Sequence, residues 1–87
     1  MLPTLVIDWM KEHSWNFTTN DPGLDGYQFV WIDDKRLFAV GPDCVIIPHS
    51  YYDRVTGFVT NKTGAQVWYA GDPELFAKLE RFINDHS

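Results

Sequence analysis

The chain is 87 residues long, 45% hydrophobic and 16% aromatic, with a formal net charge of −5. That length makes one domain over 1–87 and excludes two separately cored units. The charge excludes a polyanion-binding footprint, so neither nucleic acid nor an anionic membrane is the expected partner, and no stretch approaches the roughly 20 apolar residues of a membrane span.

The charge is unevenly placed. Residues 1–34 carry Asp8, Glu12, Asp21, Asp25, Asp33 and Asp34 against Lys11 alone, whereas the acids and bases of 35–87 balance. A basic protein surface is the partner such a segment would attract. Cys44 is the single cysteine, so no intrachain disulfide forms. Met1–Thr4 has no basic run and its apolar stretch ends at Asp8, unlike a secretion signal. A reducing cytoplasm is therefore the expected setting.

In chain order, residues 4–14 predict a helix. Leu5, Val6, Trp9, Met10 and His13 form one stripe of a 3.6-residue period, and Pro3 or Thr4 starts it. Residues 16–26 hold Asn, Asp, Pro and Gly, the residues of a loop. Residues 27–32 alternate as a strand, with Tyr27, Phe29 and Trp31 on one face. Asp33-Asp34-Lys35 turns the chain into a second strand at 36–40, and 44–47 is a third, limited by Pro48. Strands at 54–60 and 65–70 flank Asn61-Lys62-Thr63-Gly64, which reads as a hairpin loop. In that hairpin Phe58 and Trp68 would share one face, and Val59, Val67 and Tyr69 the other. Residues 73–85 predict a helix capped by Asp72, with Leu75, Phe76, Leu79, Phe82 and Ile83 as its stripe.

The expected fold is α+β: an N-terminal helix, an antiparallel meander sheet of four to five strands and a C-terminal helix, with the helices packed on one face. Several strands are apolar on both faces, so something other than water is expected over part of the second face.

Motifs of catalysis are sparse. No C-x-x-C, H-x-x-x-H or H-E-x-x-H spacing occurs, and His86 near the chain end is expected to be loosely held, so no metal or cofactor is expected. Cys44 and His49 could form a thiolate pair, but Cys44 opens an apolar run and reads as core. Asp33-Asp34 reads as a solvated turn. There is no P-loop, G-x-G-x-x-G or G-x-S-x-G. Tyr51 and Tyr52 cannot both face the core of an extended segment, so one is a candidate anchor.

Val59–Val67 and Gly71-Asp72-Pro73 resemble the tail of bacterial toxin-immunity proteins of the YrhB-like kind (immunity protein 35). The resemblance implies a cytoplasmic antidote that binds one cognate toxin and occludes its active site. A non-enzymatic binding domain is the expectation, with Asp21, Asp25, Trp31, Asp33, Asp34, Tyr51 and Tyr52 as contacts. Two alternatives stand beside it: a small-molecule or enzymatic domain with a pocket near His49 and Tyr51, and a self-associating structural or phage-type module that hides its second sheet face in a homodimer.

Overall fold

The computed structural model of the chain describes residues 2–22 and 26–86, with the backbone alone for residues 20–22. Those residues form two helices and a seven-stranded antiparallel sheet, in the order α1 (Leu2–Lys11), β1 (Phe17–Pro22), β2 (Gln28–Ile32), β3 (Lys35–Val40), β4 (Cys44–Ile47), β5 (Ser50–Asp53), β6 (Gly57–Thr60), β7 (Gln66–Tyr69) and α2 (Leu75–Asp85). The α+β meander with a helix at each end is as expected.

Both helices cover the same face. Val6 and Met10 of α1 and Leu75, Leu79, Phe82 and Ile83 of α2 share one core with Val30, Ile32, Phe38, Val40, Val45 and Ile47 of the strands. The buried stripe of α1 runs through Leu2, Val6 and Met10 and is rotated from the expected one, leaving Leu5 57% exposed. Trp9 lies against Phe76 at 5.1 Å and tucks the two helices together. α2 begins two residues later than the capping pattern suggests, and the Glu74 side chain at its N-cap makes no capping bond. Asp72 still organises its start: it accepts from the Glu74 N–H at 2.8 Å and from Lys78 Nζ at 2.6 Å. That ion pair and the Glu74 N–H hold its carboxyl below the ordinary value.

The sheet has seven strands rather than four or five and departs from the sequence reading in three places, the first being that 54–60 is strand only from Gly57, after the unexpected β5. Residues 17–22, read as loop, form the edge strand β1, bonded to β2 with an irregularity between Thr18 and Asp21. Asn61–Gly64 is not a hairpin loop, because β6 pairs with β5 and β7 pairs with β4. β4–β5 and β6–β7 are two long strands, each bent in the middle and paired with each other on both sides of the bend. Their true reversal is Arg54–Thr56.

The bends are matched. From Ala39↔Ile46 to Arg36↔Tyr52 the chain moves three residues along β3 and six along β4–β5. From Ile47↔Gln66 to Ser50↔Thr60 it moves three along β4–β5 and six along β6–β7. Asn61, 3% exposed, joins the bends: its N–H donates to the His49 carbonyl at 2.8 Å and its Nδ2 to that of Pro48 at 3.3 Å. Side chains alternate along a strand, so an extra odd number of residues exchanges the faces. Phe58 therefore lies away from the helices, while Trp68, also an even-numbered residue, packs on Phe82 at 6.2 Å. The two do not share a face as the hairpin reading required. A bulge at Leu37, between Val30↔Phe38 and Trp31↔Arg36, does the same in β3 and turns both Leu37 and Phe38 into the core.

Candidate binding face

The open face of the sheet is built from two rows of directly opposed residues. One runs Trp31, Arg36, Tyr52, Phe58 across β2, β3, β5 and β6. The other runs Phe29, Ala39, Ile46, Val67 across β2, β3, β4 and β7, with Cys44 and Tyr69 opposed beside it. Rings of the first row meet across the strands. Trp31 and Tyr52 meet edge-on at 6.1 Å, and Tyr52 and Phe58 at 5.2 Å.

Two arginines clamp this surface. Arg36 lies 4.5 Å from the Phe29 ring centre and Arg54 4.2 Å from that of Trp31. A guanidinium over an aromatic face gains electrostatic attraction and keeps its planar fork in one orientation. At the same end, the Asp34 carbonyl accepts from the Arg54 N–H at 2.9 Å, so the acidic β2–β3 turn abuts the β5–β6 tip. Asp33 takes a positive φ of 55° there, a conformation Asp tolerates better than most side chains. The outer rim is apolar and open: Val55 is 78% exposed, Phe58 70%, Tyr69 63% and Val67 46%.

The structure brings together Trp31, Asp33, Asp34 and Tyr52 of the expected contacts. Tyr51 is not with them. It faces the helices, packs on the core and meets His86 edge-on at 5.2 Å. Asp21 pairs with Phe29 in β1, which places it in line with the second row, and Asp25 lies outside the described residues. The sequence reading missed Phe29, Arg36, Arg54, Phe58, Val67 and Tyr69 as one surface. Phe29 was visible from its alternation with Trp31, but Phe58 and Val67 could not be joined without knowing the bend at Asn61.

Two of the depressions among the described residues bear on the pocket reading. A dimple of ≈ 70 Å³ sits where the β4–β5 bend separates the rows, lined by Phe29, Arg36, Ala39, Ile46, Pro48 and Ser50. It is too small for an organic ligand, which takes roughly 300 Å³ or more. An open cleft of ≈ 540 Å³ lies on the helix side, between Tyr51, Val59 and Lys62 and the end of α2 at Asp85 and His86. It holds Tyr51 but neither His49 nor Cys44. His86 is firmly placed: its Nδ1 bonds the Phe82 carbonyl at 2.8 Å and its own carbonyl accepts from Lys35 Nζ at 2.8 Å. Cys44 is buried, in line with the core reading. Among the described residues no three His, Cys, Asp or Glu side chains converge as metal ligands, and no buried side-chain N or O lacks a partner.

A contact between His13 and Glu80 lies away from the open face. His13 donates from Nδ1 to the Trp9 carbonyl at 3.0 Å, and its Nε2 is 3.1 Å from Glu80 Oε1. Both neighbours are acceptors, so the doubly protonated ring satisfies both. Its pKa is raised above 6.5, by the Trp9 carbonyl first and Glu80 next among the favourable contacts. The contact ties the end of α1 to α2, with Trp15 stacked on the imidazole at 4.3 Å.

No family model, curated protein or solved structure matches the chain.

Proposed function

We propose that this chain is a non-enzymatic protein-binding domain, an immunity or inhibitor protein that sequesters a toxin or enzyme by covering it with the open face of the sheet. The observation that carries the reading is that face itself. Its rim holds Phe58 and Tyr69 mostly exposed, around a floor of Trp31 and Tyr52 fixed by Arg54. Aromatic and Arg side chains held rigid before contact make strong interface anchors, because little side-chain freedom is lost on binding. The exposed Asp33-Asp34 turn at one end gives the encounter its charge preference, for a basic partner surface. The buried lone Cys44 fits a protein of the reducing cytoplasm.

The test is capture of the cognate protein from the native host, then affinity and association rate as a function of salt. Phe58→Asp should weaken binding by at least ~100-fold, in keeping with loss of an anchor worth more than about 2 kcal/mol. Joint Asp33→Lys and Asp34→Lys should slow association and flatten its salt dependence. A captured protein indifferent to Phe58→Asp would remove the open face from the interface, and an unchanged association rate in the charge-reversed variant would remove the electrostatic part. Enzymatic turnover lost on filling the cleft beside Tyr51 would favour the pocket reading instead.

A further inference from the structure

We propose that β7 is a docking edge for β7 of a second copy of this chain, giving an antiparallel dimer with one continuous sheet.

The two ends of the sheet are built differently. β1 at one end has the features that block edge-to-edge pairing: an irregular register between Thr18 and Asp21, an acidic residue and Pro22. At the other end β7 pairs with β4 alone and has none of them. From Thr63 to Gly71 the sequence TGAQVWYAG carries no charge and no proline. An uncharged, proline-free strand on an open edge is a template for pairing with another chain. β6, on the same side, is set off by Gly57 at a φ of 87° and by Lys62.

The phase of the free edge follows from one hydrogen bond. The Ala70 N–H donates to the Asp43 carbonyl at 2.8 Å, toward β4. Backbone groups alternate direction along a strand, so Gln66 and Trp68 also point to β4, while Val67 and Tyr69 point out. These are the same two residues whose side chains are 46% and 63% exposed on the open face.

A second copy fits this edge because the strand is complementary to itself. In a pairing centred on Trp68, Val67 opposes Tyr69 of the second copy and each exchanges N–H and C=O with the other. The reciprocal pair does the same, and the two Trp68 residues form the non-bonded pair at the dyad. Opposed residues then lie on matching faces, an aromatic against a β-branched side chain. The apolar rims of the two copies join, and the strand edges left over are the guarded β1 and the β6 set off by Gly57 and Lys62. The assembly is closed, whereas a single strand supplied by another protein would leave that protein's own edge to be covered.

The test is sedimentation of the full chain from roughly 10 μM to roughly 1 mM, with amide exchange read at Val67 and Tyr69 over the same range. The expected result is a concentration-dependent dimer in which both amides gain protection as the dimer forms. Val67→Pro removes an N–H that β4 does not use and should weaken association at least ~100-fold. Val67→Lys guards the edge by charge and should do the same, so misfolding of the proline variant would not block the test. Phe58→Ser, on the open face away from β7, should leave the dimer intact. A wild type that stays monomeric at the highest concentration overturns the proposal. So does a dimer that survives Val67→Lys, which would place the contact elsewhere, or protection of the two amides only when a different protein is added.

Discussion

Asn61→Ala is the perturbation that most directly probes how the two bent strands are held. Asn61 is the only buried polar side chain among the described residues, and it bridges the bends. Its Nδ2 donates to the Pro48 carbonyl at 3.3 Å, and its Oδ1 accepts from the Thr63 N–H at 3.2 Å and the Thr63 hydroxyl at 2.9 Å. The hydroxyl belongs to an exposed residue, so water replaces Asn61 there. The other two bonds are lost, at about 1 kcal/mol each, and stranding the Pro48 carbonyl adds a part of its desolvation. We predict a loss of about 2–3 kcal/mol, or roughly 10–15 °C in Tm for a domain of this size. Urea unfolding followed by tryptophan fluorescence measures it, with an unchanged slope if the compactness of both states is kept. A loss under about 0.5 kcal/mol would show that the bends are fixed by the ladders alone and that Asn61 holds nothing.

Further predictions follow from single contacts. For His13, a pKa raised in the folded state means the stabilisation is fully present below 6.5 and is lost as pH rises through the folded value. NMR titration should place that pKa above 6.5, and His13→Gln should remove the corresponding slope from stability measured against pH. For Asp72 the sign is opposite: its lowered pKa gives stability that is present above 3.8 and lost as pH falls through the folded value. Lys78→Met should reduce that acid sensitivity. A Cβ on Gly41 would lie 2.4 Å from the Tyr27 ring, so Gly41→Ala should destabilise by about 1–3 kcal/mol. Adding Tyr27→Ala should make the second loss smaller than the sum of the separate ones, as a double-mutant cycle reads. Arg54→Ala should lose about 0.5–1 kcal/mol of stability and expose Trp31 to a soluble quencher, with Arg54→Lys only a partial substitute because the ammonium lacks the planar stack.

The helices were legible because their residues obey one local rule. Val6 with Met10, and Leu79 with Phe82 and Ile83, mark buried stripes whatever they pack on, and Asp72-Pro73 marks a start. β2 to β4 were legible for the same reason, from alternation and runs of apolar side chains. β1 was not, since an edge strand is held by backbone bonds to one neighbour and needs little side-chain burial. Among its described side chains, Phe17 is the one packed on the core. The Asn61–Gly64 turn is real, with the Gly64 N–H on the Asn61 carbonyl at 3.0 Å. A local turn signal cannot tell a chain reversal from a bend, and here the outcome depends on a matching break at Pro48-His49, well separated in sequence. Because that bend exchanges faces, one misread turn scattered a single surface. Trp31, Tyr52 and the Asp33-Asp34 turn could be picked out, whereas Phe58, Val67 and Tyr69 could not be joined to them.

Affinity for the captured cognate protein, measured for two variants of opposite faces, tests the binding face most directly. Phe58→Asp alters the open face, and Glu12→Lys alters an exposed position beside α1, which packs on the other side of the sheet. Binding through the open face predicts at least a ~100-fold loss for the first and less than about a twofold change for the second. The reverse pattern, with Phe58→Asp near wild type and Glu12→Lys strongly weakened, would move the interface to the helices and contradict it.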